Sequence, residues 1–377
     1  MTDLAWAAPI RTLYVATNGD DTADGTTTRP WRTLQHAAQD VQPGDLIIVR
    51  PGRYVGFVLG WDGPQNGTAA NPITFRGESG AIIDTRNNRT ADGINLEGAA
   101  FIVIEGFVTS RSQIEHGIYV SNACVNPIVR NNQVWGNAGN GIHMNGDVSQ
   151  GENGLILNAL VEKNVIYDNG RQGGSGINAD GVQNSRFLNN LLYNNHASGI
   201  SLYKIDGAGG STNNVIAHNT ISMASDGRWA LNIQNGSTGT SVVNNILHNN
   251  HSFRGSIDIS ADSLSNFSSN YNVVMDRFIV DNGPVQNLAQ WRQQTGQDRN
   301  SVVATPTALF VNPAGNDYQL LSNSPARDKG VVRNDVREDR IGTLRPVGPT
   351  SDIGAYEFRS TAGTTPPPTP TNLRIVH

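Results

Sequence analysis

The stretch GINADGVQNSRFLNNLLYNNHASGISLYKID, residues 176–206, carries nearly the same phrase twice. Gly176-Ile177 with Ala179 returns as Gly199-Ile200 with Leu202, while Asn178, Asp180, Ser201 and Tyr203 differ between the copies. Taken as a ruler, the unit recurs at Ile94, Ile118, Ile142, Ile177, Ile200, Leu231 and Ile257, at intervals of 24, 24, 35, 23, 31 and 26 residues. Each copy alternates apolar and polar residues, the period-two sign of a strand with one buried face.

A second series, offset from the first, carries asparagine at Asn132, Asn164, Asn190, Asn219 and Asn245, and four of these five meet another asparagine five positions on, at Asn137, Asn169, Asn195 and Asn250. If each repeat makes one turn of a parallel coil, equivalent residues stack at the strand spacing of about 4.8 Å. A stacked asparagine amide both donates to and accepts from its neighbours, and asparagine and glycine tolerate the positive φ of tight corners. The repeats therefore predict an all-β fold, a right-handed parallel β-helix (solenoid), in which the invariant letters are scaffold and the variable ones face outward.

Composition fits this reading. The chain has 377 residues, 16% charged, with 41 glycines, and is too apolar and aromatic for disorder. A net charge of -5 with only three lysines argues against nucleic acid as a partner. No apolar run reaches the length of a membrane span. The single cysteine, Cys124, excludes an internal disulfide framework and reads as a small buried hydrophobe. The amino terminus lacks the basic and apolar regions of a secretion signal, although Ala5-Trp6-Ala7 has the small-residue pattern that ends one.

The flanks add caps. Residues 29–56 read as a short amphipathic helix from Trp31 to Val41, a Pro-Gly turn, then two strands, and a helix there covers the open edge of the first rung. A second short helix is expected within 276–301 as a carboxyl-terminal cap. One β-helix domain thus runs over residues 12–358, followed by a Pro/Thr-rich linker at 359–377.

The segments LYVATNGDDTADGTTTRPWRTLQHAA, GDLIIVRPGRY and NPITFRGESGAIID resemble the entrance of secreted bacterial parallel β-helix proteins, including polysaccharide lyase family 9, and NDYQLLSNSPARDKG with SDIGAYEF resembles their closing segment. The resemblance implies an extracellular, monomeric protein acting on a polysaccharide. NADGV resembles the family segment that supplies a calcium-ligating aspartate, which carries over to Asp180 alone and implies Ca²⁺ as the one cofactor to consider. The family's further aspartates on the next rung are replaced here by HASGISLY.

The chemistry is expected where the repeats are over-long. The 35-residue interval contains GDVSQGENGLIL and the 31-residue one KIDGAGGST, and loops grown from one edge of neighbouring rungs wall a cleft around the rung of Asp180. Lys204, Asp180, Tyr203 and His196 are the candidate catalytic residues. His143, Asn145, Asn178, Glu152, Asp206, Arg228, Asn232 and Gln234 are the candidate substrate-binding residues. For β-elimination on a uronic-acid polymer, Lys204 or His196 would be the base and Arg228 or Ca²⁺ the group that neutralises the sugar carboxylate. For glycoside hydrolysis, Asp180 would pair with Asp206 or Glu152. A non-catalytic glycan-binding surface would need only the polar outward columns.

Overall fold

The computed structural model describes residues 8–63, 65–110 and 115–359, so the expected linker beyond 359 lies outside the described residues. Three parallel sheets of ten, nine and ten strands wind into a coil of about nine turns. The seven strand units predicted from the ruler lie in one sheet in the predicted register, Ile94 beside Ile118, then Ile142, Ile177, Ile200, Leu231 and Ile257. Their apolar positions are fully buried and form one column of the core.

The corner between the other two sheets explains why asparagine recurs. Asn131, Lys163, Asn189, His218, Asn244 and Tyr271 all adopt φ between 54° and 58°, which turns the chain and aims the next residue inward. That next residue is Asn132, Asn164, Asn190, Asn219, Asn245 or Asn272. In each, the side-chain amide donates to the side-chain oxygen of the next rung at 3.0–3.2 Å, and each of the first five also donates to a backbone carbonyl of the preceding rung at 2.8–3.0 Å. A shorter ladder joins Asn137, Asn169 and Asn195. Asn250, expected to continue it, instead binds the Met223 carbonyl, because position 224 is alanine and the ladder has no rung to hand on.

The amino-terminal cap is a helix, α1 (Leu34–Asp40), shorter than predicted, with Thr33 as its N-cap. Trp31 is not helical; it bridges to Val15 and buries its indole, which donates to the Ala23 carbonyl. From α1, Gln35 donates to and accepts from the backbone of Val58, at 3.0 and 2.9 Å, occupying groups on the edge strand that no neighbouring strand pairs. At the other end α2 (Leu288–Thr295) has a capping box of Asn287 and Gln290 and lays Trp291 on Phe278, with centroids 4.9 Å apart. The chain then returns along the asparagine corner, where Asn244 holds the backbone of Val331 and the fully buried Arg345–Glu357 pair closes the segment.

Replacing Asn219 with leucine removes the acceptor of the Asn190 backbone N–H and of one Asn190 side-chain N–H, and the side-chain donor to the Phe187 carbonyl, at about 1–3 kcal/mol for each stranded group. Denaturant unfolding should show a loss of several kcal/mol. The same change at exposed Asn250 should be nearly neutral, and equal midpoints for the two variants would remove the ladder from the stability account.

Candidate active site

Outward positions of the nine-stranded sheet form two columns, as alternation requires. The first runs Asn95, Tyr119, His143, Asn178, Ser201, Asn232 and Asp258, and the second includes Glu97, Ser121, Asn145, Asp180 and Tyr203. Yet Asn95, Ser121, Asn145 and Asp180 are buried, so part of this outer surface is roofed.

The roof is built by the two insertions, which were expected to stand apart as opposing walls. Instead they join: Val148 N–H donates to the Asp206 carbonyl and Ala208 N–H to that of Gly154, at 3.2 and 3.0 Å. Glycine permits the approach at Gly181, which lies between them, since a Cβ there would come within 3.0 Å of the Gly154 carbonyl and 3.1 Å of the Gly207 Cα. The result is one wall along the carboxyl ends of the strands. The opposite side is made by the corners that precede the strands.

Asp180 is the foundation of that wall. Its carboxylate accepts the backbone N–H groups of Ile205, Asp206 and Gly207 at 2.8–3.1 Å. Burial raises its pKa above the ordinary carboxylate range, and the three amides pull the other way. Both oxygens are thus spent on the loop, and no cluster of three or more His, Cys, Asp or Glu suited to a metal is present among the described residues. Calcium wants six or more oxygens, so the donor set at Asp180 does not fit the ion, and neither the ligand nor the catalytic assignment of Asp180 agrees with its contacts.

The remaining candidates divide by place. Lys204 and Glu152 are exposed on the wall and line neither groove cavity. Lys204, expected as a base, makes no side-chain hydrogen bond or ion pair among the described residues. His196 lies on a corner with Nδ1 2.8 Å from Asp226 and also lines neither cavity. Asp206 reaches Asn145 at 3.5 Å. The structure brings together Asn178, Tyr203, Arg228, Asn232 and Gln234, which with Ser201 and Ile205 line a groove of about 310 Å³. A second hollow of about 210 Å³ shares Ser198, Arg228 and Asn232 with it and adds Arg254 and Asp258.

Within the groove, the Tyr203 hydroxyl accepts from Asn178 at 2.6 Å, and burial, reinforced by Asp180, raises its pKa so that it stays protonated. Gln234 donates to Asn232 and Asp258. Burial raises the pKa of Asp258, opposed by Gln234 and by the charge of Arg254. Arg228 is exposed and borders both hollows. Among the described residues its guanidinium makes no hydrogen bond, ion pair or ring contact. Arg254 was missed, although its signal was present: it precedes Ile257 by three residues as Arg228 precedes Leu231. Its Nη1 donates to the Gly227 carbonyl at 3.2 Å, tying the two corners.

Asp180→Ala should release the wall while leaving the coil intact. Limited trypsin digestion should then cut after Lys204 at least about tenfold faster, since each lost bond to a charged acceptor is worth about 1.5–3 kcal/mol. Protection of the native protein at that bond by added calcium would return Asp180 to the role of metal ligand.

The fold and groove can be set against known proteins. The structure of pectate lyase Pel9A superposes with a TM-score of 0.61 at 14% identity, over 94% of this chain and 98% of that one. A glycoside hydrolase superposes at 0.52 and 10% identity, over 72% and 95%. At such identities the likeness is one of fold. The uncharacterized protein YwoF of Bacillus subtilis is 31% identical over 136 residues, 33% of this chain and 28% of that protein, so the match spans under a third of that relative's length. Residues 13–228, more than half of the chain, match the model of the Pel9A-like, right handed beta helix region, and the chain belongs to that family.

Proposed function

We propose that the protein is an extracellular polysaccharide lyase that cleaves a uronic-acid-containing glycan by β-elimination. The observation that carries this reading is the guanidinium of Arg228, without a partner among the described residues, at the edge of a groove whose other polar lining is amides, hydroxyls and one tyrosine. Elimination requires that the sugar carboxylate be neutralised before the α-proton becomes acidic enough to leave. A planar guanidinium with no internal partner supplies that charge and binds a carboxylate through two parallel N–H bonds. Tyr203, held neutral by burial, supplies the second requirement, a proton for the departing glycosidic oxygen. Asn178, Asn232 and Gln234 present amides suited to sugar hydroxyls.

Hydrolysis by a carboxylate pair has less support. Only one carboxylate, Asp258, lines the two hollows, and Asp180, the partner expected from sequence, is committed to backbone amides.

Incubation with polygalacturonate, alginate, glycosaminoglycans and neutral glycans should yield an ultraviolet-absorbing unsaturated product from one of the acidic polymers. New reducing ends without that absorbance would favour a hydrolase, and binding without either a glycan-binding surface protein. Arg228→Ala should weaken binding of the acidic substrate about 10- to 100-fold, the value of one or two charge-assisted bonds, while Arg228→Lys keeps the charge and part of the affinity. Equal affinities for all three proteins would take Arg228 out of the site.

A further inference from the structure

Two rungs of the first outward column hold buried polar atoms that nothing satisfies. The side-chain nitrogen of Asn95 and both ring nitrogens of His143 are buried without a hydrogen-bond partner, an arrangement that costs about 1–3 kcal/mol per group unless a ligand completes it. Between them, Tyr119 accepts from Asn145 at 3.1 Å, and its own hydroxyl proton has no acceptor. Tyr203 likewise accepts from Asn178 and leaves its proton unused. His143 is packed against Tyr119 and His116, with ring centroids 5.0 and 4.6 Å away. It sits one rung below Asn178, its direct partner in the ladder.

We propose that His143 is the base of the elimination, acting opposite Tyr203 on the uronate residue that lies over Asn178. The assignment rests on the lyase reading above. Asn178 joins the two groups: it is the ladder neighbour of His143 and the hydrogen-bond donor to Tyr203, and it lines the same groove as Arg228. The carboxylate of the bound uronate sits on Arg228. The carbon–hydrogen bond α to that carboxylate breaks and its proton passes to a ring nitrogen of His143. The electron pair becomes the new carbon–carbon double bond, the bond to the glycosidic oxygen breaks, and that oxygen takes the proton of Tyr203. Proton return from the imidazolium to the phenolate through water restores both groups, so no further reactant is consumed.

Two features suit His143 to this task. Burial and the neighbouring His116 hold its pKa well below the ordinary histidine value, so that the ring is neutral and able to accept. Neither nitrogen is tied to a protein partner that would have to be displaced. The nitrogens are covered in the free protein; the neighbouring Tyr119 ring is partly exposed, packs against His143 and His116 and accepts one hydrogen bond, from Asn145. Proton transfer to His143 requires that entry of the sugar turn Tyr119 aside. Like Lys204 and His196, the bases expected from sequence, His143 does not itself line the groove; it borders it as the direct ladder neighbour of Asn178, which does.

The test observes His143 directly. Its imidazole C2–H resonance, identified by its disappearance in His143→Gln, should shift on titration with at least one of trigalacturonate, an oligomannuronate and an oligoguluronate, while the resonance of fully buried His218 stays in place. His143→Gln should bind the same probe with unchanged affinity and form unsaturated product at least about 100-fold more slowly, and Tyr203→Phe should show the same split between binding and turnover. No shift with any of the three probes overturns the proposal. Product formation by His143→Gln at the native rate overturns the base assignment and leaves the lyase reading standing. A shift in the native protein with no unsaturated product from any probe overturns the lyase reading and the base role with it.

Discussion

The structure depends on one recurring interaction, an asparagine side chain turned inward at a corner and bonded to its copies above and below. The interaction is possible only because the preceding residue adopts a left-handed conformation, which leaves the side chain of Asn132, Asn164, Asn190, Asn219 or Asn245 under the backbone it serves. Each amide then satisfies corner groups that a buried turn would otherwise leave unpaired. From Asn132 to Asn272 the corner fixes where each rung begins, and rung spacing fixes which residues lie side by side in the sheets. Without that constraint the outward columns would have no common register, and Arg228, Tyr203 and Asn178, which come from three rungs, would not meet.

Sequence reasoning reached as far as periodicity reaches. The alternation of apolar and polar residues placed all seven strand units in their observed register, because a one-residue slip would drive Asn178 or Ser201 into the core. It also placed Asp180 beside Tyr203. Alternation does not give the path of a loop. The joining of the two insertions is made by backbone bonds between residues with no repeat relation, Val148 with Asp206 and Ala208 with Gly154, and the fate of Asp180 follows from that path. A carboxylate facing outward on a strand looks catalytic until the loop that consumes it is in view.

Arg254 shows the opposite case, in which the signal was periodic but weak. Its position repeats that of Arg228 at the 26-residue interval between their rungs, yet two copies of one residue in variable corners do not stand out from solvated surface charge. Trp31 was misread for a related reason. An amphipathic helix pattern admits an aromatic at its start, but here the tryptophan fills the space beside Gly25, where the indole lies so close that a Cβ would contact it at 2.8 Å. Local periodicity was overridden by a contact that only the folded chain creates.

A coil of this kind separates stability from chemistry more cleanly than a compact domain does. Scaffold residues point inward, where Asn219 and its neighbours are fully buried and satisfied. Apart from Asp180, which anchors the wall, the groove-lining residues of the outward columns carry none of that duty and are free to hold groups in states that water would not favour. Burial, beneath the roof and beyond it, gives those groups their character: Tyr203 and Asp258 become harder to ionise and His143 harder to protonate because burial penalises charge. Arg228 stays outside that roof, exposed and charged. The groove thus places neutral proton-handling groups beside a fixed positive charge, and it does so by varying only residues that the repeat leaves unconstrained.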